Sequence, residues 1–147
     1  MTQDIPQTQP ADGVYAIAPP GEDLLTLPGE APGSAVVVDR RRGRKGEQEW
    51  RVEASGDGLV TIRNVASGLY LGFEGEPAED TRLAGIPGPV SWALRPSATQ
   101  EGSYYIVAPG SELAVDLAKE RVIPLLVALM PLDESNMRQA WQFWAGA

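Results

Sequence analysis

Residues 58–62 read Gly-Leu-Val-Thr-Ile, and this short pattern occurs three times in the 147-residue chain. The other copies are Gly-Val-Tyr-Ala-Ile at 13–17 and Gly-Ser-Tyr-Tyr-Ile at 102–106. The three glycines lie 45 and 44 positions apart (13 to 58 and 58 to 102). Self-similarity at a fixed period of about 20–50 residues indicates repeated structural units. We therefore predict three copies of one unit.

Further landmarks recur in the same order in each copy. A leucine stands seven residues after each isoleucine, at Leu24, Leu69 and Leu113. Each copy then ends at a tryptophan, in the sequences Gln48-Glu49-Trp50, Val90-Ser91-Trp92 and Gln139-Ala140-Trp141. Apolar and β-branched runs between these landmarks predict strands. The runs are 14–17, 34–38, 50–53, 59–62, 92–95, 104–107 and 125–129.

Two architectures use about four strands per unit at this period. A β-propeller needs at least about four blades, and three copies cannot supply them. A β-trefoil, a closed barrel with three hairpins over one end, takes its strands from three repeats. We therefore predict an all-β fold, a β-trefoil of twelve strands in three pseudo-symmetric repeats. The expected divisions are an N-terminal tail at 1–11 and a single domain at 12–147, with repeats at about 12–56, 57–100 and 101–147.

In such a barrel, one inward side chain per repeat meets its two symmetry mates in a layer. The candidate layers are Tyr15/Val60/Tyr104, Ile17/Ile62/Ile106 and Trp50/Trp92/Trp141. We assign them to core packing and to no chemistry.

The composition favours binding over catalysis. The chain has no cysteine and no histidine, which excludes Ser–His–Asp and Cys–His nucleophiles, Cys/His zinc sites and haem or iron–sulfur ligand sets. The acidic segment 74–80 does not have the spacing of an EF-hand loop. We expect a protein that is not an enzyme and that uses no cofactor and no metal.

The charge limits the partners. Twelve basic and twenty acidic residues give a net charge of −8, which disfavours nucleic acid as a partner. No apolar run approaches the roughly 18 residues that cross a bilayer, so we expect no membrane insertion. Residues 1–11 have neither the basic head nor the apolar core of a secretory signal. We therefore expect a cytoplasmic protein.

The Gln-x-Trp endings, intact in copies one and three, resemble the repeat mark of ricin-B-type β-trefoil lectins. Residues 62–71 (Ile-Arg-Asn-Val-Ala-Ser-Gly-Leu-Tyr-Leu) and 113–117 (Leu-Ala-Val-Asp-Leu) resemble the mushroom members of that family. The resemblance covers nearly the whole chain after the first dozen residues. It implies a sugar-binding protein, although similar fungal barrels inhibit serine or cysteine proteases through an exposed loop.

The resemblance also implies which residues bind sugar. In these lectins an aspartate near the end of the second strand accepts hydrogen bonds from sugar hydroxyls, an aromatic ring stacks on the pyranose, and an Asn or Gln near the Gln-x-Trp motif completes the site. Counting from the three leucines places Leu27, Gly72 and Asp116 at the aspartate position. We therefore expect at most one surviving site, in the third repeat, formed by Asp116, Asn136 and Gln139. No aromatic residue is evident between residues 125 and 135.

Five of the twelve basic residues lie together in one surface segment of copy one. They are Arg40, Arg41, Arg42, Arg44 and Lys45. This basic segment is interpreted as a solvated hairpin tip, as a protease-inhibitory loop presenting Arg or Lys to a trypsin-like pocket, or as a nuclear-targeting or anion-binding patch. Three functions therefore stay open: carbohydrate binding, protease inhibition, and an interaction module whose sugar sites have decayed.

Overall fold

A computed structural model describes residues 10–42, 44–98 and 100–145 of the chain. Residues 1–9 of the expected N-terminal tail lie outside the described residues. The structure is built of twelve strands and one short 3-10 helix. They are β1 (Gly13–Ala18), β2 (Leu24–Thr26), β3 (Val37–Asp39), β4 (Trp50–Gly56), β5 (Leu59–Asn64), β6 (Tyr70–Gly72), β7 (Ala84–Ile86), β8 (Ser91–Pro96), β9 (Ser103–Val107), β10 (Leu113–Leu117), β11 (Leu125–Pro131), the 3-10 helix (Met137–Gln139) and β12 (Trp141–Ala145).

Six strands close into a barrel. The antiparallel pairs β1–β4, β4–β5, β5–β8, β8–β9, β9–β12 and β12–β1 form a complete ring. Within each repeat, the first and last strands pair in the same register: Tyr15 faces Trp50, Val60 faces Trp92 and Tyr104 faces Trp141. The ring therefore has three-fold pseudo-symmetry, and the prediction of a twelve-stranded β-trefoil is confirmed.

Three hairpins cap one end of the barrel. They are β2–β3, β6–β7 and β10–β11. Main-chain hydrogen bonds link them in a ring, in which the amide of Val36 donates to the carbonyl of Leu83 (3.1 Å), that of Leu83 to Val127 (2.9 Å) and that of Val127 to Val36 (3.3 Å). This arrangement, which we call the hairpin ring, satisfies peptide groups that would otherwise be buried without partners.

The hairpin ring explains one difference from the predicted strands. The apolar run 34–38 was expected to be one strand, but β3 begins only at Val37. Ala35 instead forms an isolated bridge to Ala84, and the amide of Val36 bonds to the neighbouring hairpin. The three valines at 36–38 are apolar because they are buried at the junction of the hairpins, whereas Ala35 is exposed. The first half of the run does not belong to the ladder.

Two of the three candidate layers are fully buried. Ile17, Ile62 and Ile106 are 0% exposed, and so are Trp50, Trp92 and Trp141. The third layer differs, since Val60 is buried while Tyr15 and Tyr104 are half-buried. Both tyrosines pack edge-on against Phe143, at centroid distances of 5.9 and 5.7 Å. The larger aromatic rings therefore lie less deeply in the barrel than the sequence pattern predicted.

Each buried tryptophan also ties the barrel to a hairpin. The indole nitrogens of Trp50, Trp92 and Trp141 donate to the carbonyls of Leu25 (3.0 Å), Leu71 (2.9 Å) and Val115 (3.0 Å), respectively. These three acceptors are therefore equivalent positions of the three repeats. They give a structural alignment of the copies that does not depend on counting residues.

Candidate functional site

The side chain of Asp116 lies at the centre of a hydrogen-bond cluster in the third repeat. Its Oδ2 accepts from Nε2 of Gln139 at 3.1 Å and from Nδ2 of Asn136 at 3.3 Å, and its Oδ1 accepts from the backbone amide of Leu117 at 2.6 Å. Asp116 is 5% exposed. The structure thus brings the three residues expected from the sequence into direct contact.

Local structure before β12 holds the two amide side chains in place. Asn136 caps the 3-10 helix, since its Oδ1 accepts from the backbone amide of Arg138 at 3.0 Å. Buried Gln139 uses its second donor on the carbonyl of Pro131 (3.1 Å), and its Oε1 accepts from the amide of Asp133 (2.9 Å). Gln139 therefore joins the end of β10, the end of β11 and the segment between β11 and β12.

A second carboxylate stabilises the turn beside this cluster. Oδ1 of Asp133 accepts hydrogen bonds from the hydroxyl of Ser135 (2.6 Å) and from its backbone amide (3.0 Å). Both bonds favour the charged form, so they lower the pKa of Asp133 below its ordinary value of 3.8. This turn therefore carries a negative charge at neutral pH at the edge of the Asp116 cluster.

Copy one has the same geometry with a different residue at the aspartate position. Gln48 Nε2 donates to the hydroxyl of buried Thr26 (3.0 Å) and to the carbonyl of Arg40 (2.9 Å), and its Oε1 accepts from the amide of Arg42. Thr26, which follows Leu25, is therefore the equivalent of Asp116, and the expectation of Leu27 was wrong by one position. Leu25 follows Ile17 by eight positions, whereas Leu71 follows Ile62 and Val115 follows Ile106 by nine, so the landmark Leu24 is displaced by one position.

In copy two, apolar residues stand at both of the positions that are polar in copies one and three. Gly72, which follows Leu71, is at the aspartate position as expected, and Val90 is at the position of Gln48 and Gln139. A Cβ atom on Gly72 would lie 2.7 Å from Cγ2 of Val90 and 2.8 Å from Cγ1 of Ile86. Val90 and Ile86 therefore occupy the space that an aspartate side chain needs, and copy two has no carboxylate at this position.

The exposed apolar side chain beside the Asp116 cluster is a methionine and not an aromatic ring. Tyr105 is close by, but it is 2% exposed and its hydroxyl donates to the carbonyl of Glu134. Met137, next to Asn136, is 50% exposed. Its thioether side chain is an adaptable apolar surface beside the Asp116 cluster.

The basic segment of copy one is partly neutralised by acidic neighbours. Arg42 forms ion pairs with Asp39 (2.9 Å) and Glu47 (3.5 Å), and Arg44 pairs with Glu47 (3.2 Å). Glu47 is 4% exposed, so these arginines compensate a buried carboxylate. Within the described ranges, which omit residue 43 of this segment, no ion pair involves Arg40, Arg41 or Lys45. These three side chains are exposed.

Two grooves lie beside this segment, a feature that the sequence did not predict. The first encloses about 370 Å³ between β1, the end of β12 and the residues Arg41, Arg42, Arg44 and Lys45. The second encloses about 650 Å³ and is lined by Gly21, Glu22, Asp23, Arg40, Arg41 and Trp144. Trp144, which is 42% exposed, and Arg41 line both grooves. The pairing of β12 with β1 brings Trp144 from the end of the chain to copy one, next to Ala16.

Within 10–42, 44–98 and 100–145, no three acidic side chains converge to form a metal site. In the same part of the chain, no helix has the length and apolar character needed to span a membrane.

The fold is that of known fungal lectins. The ricin B-like lectin of Macrolepiota procera, described in complex with lactose, superposes with a TM-score of 0.82 at 24% identity, covering 95% of this chain and 100% of that one. The agglutinin of Rhizoctonia solani also gives a TM-score of 0.82 at 24% identity, over 97% of this chain and 100% of that one. ThreeFoil, a designed protein with three-fold symmetry, gives 0.79 at 20% identity, over 92% and 100%.

The sequence itself identifies the family. No curated protein matches it as a relative. Residues 46–122, just over half of the chain, match the family model described as a ricin-type beta-trefoil lectin domain-like. This segment runs from the end of copy one through copy two to the hairpin that carries Asp116. The chain therefore belongs to the ricin-type β-trefoil lectin domain-like family.

Proposed function

We propose that this protein binds a glycan at the third repeat, with Asp116 as the acceptor of sugar hydroxyl hydrogen bonds. One observation carries the proposal: the carboxylate of Asp116 is fixed by Gln139 at 3.1 Å and Asn136 at 3.3 Å. A carboxylate in a fixed orientation makes charge-assisted hydrogen bonds about twice as strong as neutral ones. Neither Thr26 nor Gly72 offers such an acceptor in the other repeats.

The hydrogen-bond capacity of Asp116 supports this role. A carboxylate accepts at about four lone-pair positions. Leu117, Asn136 and Gln139 donate the three bonds described for it, which leaves Oδ1 with capacity for a hydroxyl. In this arrangement Gln139 and Asn136 are positioning residues, and the apolar side chain of Met137 contacts the sugar ring.

Lactose is the first ligand to test, because the Macrolepiota procera lectin of the same fold is described in complex with it. Isothermal titration of the protein with lactose, together with a glycan array, measures binding and names other ligands. We expect one bound lactose per chain, since only one repeat has the carboxylate. A monomer is then monovalent for lactose, so agglutination through this sugar requires self-association.

The substitution Asp116→Asn tests the site, and Asp57→Asn is its matched control. Asp57 lies in the exposed turn between β4 and β5 with a positive φ of 57°, a conformation that asparagine tolerates. We expect Asp116→Asn to weaken glycan binding at least tenfold and Asp57→Asn to leave it unchanged, with thermal unfolding confirming that both variants are folded. A glycan array without signal, or unchanged binding by folded Asp116→Asn, overturns the proposal.

Protease inhibition is a second candidate function, favoured by the exposed side chains of Arg41 and Lys45. A trypsin-like pocket accepts either side chain through a buried carboxylate. Titration of trypsin and of a papain-like protease with the protein tests this function. Stoichiometric loss of trypsin activity that disappears in Arg41→Ala supports it, and unchanged activity of both proteases rejects it.

A further inference from the structure

We infer that the two grooves beside the basic segment form a second site, which binds an oligosaccharide carrying one acidic group, a carboxylate or a sulfate. The site lies in copy one and does not depend on the Asp116 cluster. It is formed by Arg41, Lys45 and Trp144. Trp144 is distant from the other two in sequence and lies beside them because β12 pairs with β1.

The first groove offers an excess of positive charge. Arg41, Arg42, Arg44 and Lys45 line it, and Glu49 is its one acidic lining residue. The buried carboxylate of Glu47 holds Arg42 and Arg44, so the free cationic groups are those of Arg41 and Lys45. A guanidinium group binds a carboxylate or a sulfate through two parallel hydrogen bonds. This groove is therefore suited to a single anionic group.

The polar groups of the equivalent lectin position in copy one do not contribute. Thr26 is 0% exposed, and the amide group of Gln48 is engaged with Thr26, Arg40 and Arg42. Gln48 lines the first groove, but its amide group is already engaged, so the charged groups of the proposed site come from Arg41 and Lys45.

The second groove indicates that the remainder of the ligand is neutral and rich in hydroxyl groups. Glu22 and Asp23 line it and accept hydrogen bonds from hydroxyls, while they repel a second anionic group. Trp144 lies between the grooves and offers an exposed ring on which a pyranose stacks. A fully charged polymer, such as a nucleic acid, meets these carboxylates and the net charge of −8.

The shape also favours a small ligand over a protease. An inhibitory loop has to protrude into the cleft of the enzyme, whereas Arg41 and Lys45 line a concave surface. The volumes of about 370 and 650 Å³ lie in the range of about 300–1,000 Å³ that is typical of small-molecule sites.

The experiment compares sialyllactose, which carries a carboxylate, sulfated lactose and neutral lactose. Binding is measured by titration calorimetry with the Asp116→Asn variant, so that the third-repeat site does not contribute. We expect at least one of the acidic sugars to bind at least tenfold more tightly than lactose. The preferred sugar distinguishes a carboxylate from a sulfate ligand. The binding should also weaken as salt is raised from about 50 to 500 mM, because exposed charges are screened.

Arg41→Ala and Lys45→Ala test the basic wall, and Arg95→Ala is the matched control. Arg95 lies on β8, opposite β1 in the ring of strands, and pairs with exposed Glu112. We expect Arg41→Ala to weaken binding of the acidic sugar at least tenfold and Lys45→Ala about threefold, with Arg95→Ala unchanged.

Tryptophan fluorescence provides a second readout. Trp144 is exposed while the other three tryptophans are buried, so ligand binding should change the emission of Trp144. The change should be absent in Trp144→Phe, which keeps an aromatic ring.

The inference is overturned if neither acidic sugar binds more tightly than lactose, if Arg41→Ala binds like the parent protein, or if a short DNA duplex binds as tightly as the acidic sugar. Its failure is separate from that of the proposed function, since the difference in lactose binding between the unsubstituted protein and Asp116→Asn tests the third-repeat site alone.

Discussion

Gln139 donates a 3.1 Å hydrogen bond from Nε2 to Oδ2 of Asp116, and this bond joins the turn before β12 to the end of β10. The equivalent bond in copy one runs from Gln48 to Thr26 at 3.0 Å. The glutamine of the Gln-x-Trp motif thus keeps its structural role in a repeat without the carboxylate. Retention of the motif and retention of the carboxylate are therefore separate properties of a repeat.

The substitution Gln139→Ala should destabilise the protein by about 1–3 kcal/mol, because it removes a hydrogen bond from the buried carboxylate of Asp116. It also removes the bonds to the amide of Asp133 and the carbonyl of Pro131. Urea unfolding measures the loss. Gln142→Ala, in the adjacent strand β12, removes no hydrogen bond described for its side chain and should shift the free energy of unfolding by less than about 0.5 kcal/mol. Equal effects of the two substitutions would contradict this account.

Trp92→Phe should reduce the free energy of unfolding by about 1–3 kcal/mol through the unpaired carbonyl alone. The carbonyl of Leu71, which accepts from the indole of Trp92 at 2.9 Å, loses its partner inside the core. Trp141→Phe should behave similarly at Val115. Exposed Trp144→Phe is the control, and denaturant midpoints that fall equally for all three variants would refute the role of these bonds.

Gly72→Asp alone should not create a sugar site in copy two. Its Cβ would lie 2.7 Å from Val90 and 2.8 Å from Ile86, and such overpacking costs about 1–3 kcal/mol. Gly88→Asp is the control, since nothing lies within 4 Å of a Cβ at that position. Thermal unfolding compares the two variants, and a Gly72→Asp protein as stable as Gly88→Asp would show that Val90 and Ile86 do not restrict this position.

Ser135→Ala should raise the pKa of Asp133 back towards its ordinary value of 3.8, because it removes the hydroxyl donor. A lowered pKa in the folded state means that Asp133 contributes its full stabilisation above the unfolded pKa. This contribution is lost as the pH falls through the folded value. Carboxyl NMR titration of both proteins measures the shift. An unchanged Asp133 titration would contradict the assignment.

The sequence predicted the parts of this fold that depend on local pattern. The repeated glycines, isoleucines and tryptophans were enough for the three-fold barrel, because burial of Ile17 or Trp50 dictates the residue type wherever the position recurs. The strand β2 was harder to locate, since it has three residues and Leu25 follows Ile17 by one position fewer than the equivalent residues of the other copies. Counting from Leu24 therefore gave Leu27 in place of Thr26.

The candidate sites also have some features that the sequence predicted and others that it did not. The contact between Asp116 and Gln139 was predictable from a known motif and from the order of the strands. The groove beside Trp144 was not, because it depends on the closure of β12 against β1 and on the side chains that remain exposed after closure. The ion pairs of Arg42 and Arg44 with Glu47 were not predictable either, because no sequence pattern separates paired from free cations in a basic run.

The hairpin ring of Val36, Leu83 and Val127 uses peptide groups as both donors and acceptors. Replacing a side chain therefore does not remove these bonds, so the sequence of each repeat can diverge while the scaffold keeps its shape. This independence explains how the three repeats carry different residues at one equivalent position, namely Asp116, Thr26 and Gly72. It also means that a new specificity can be engineered into one repeat without altering the other two.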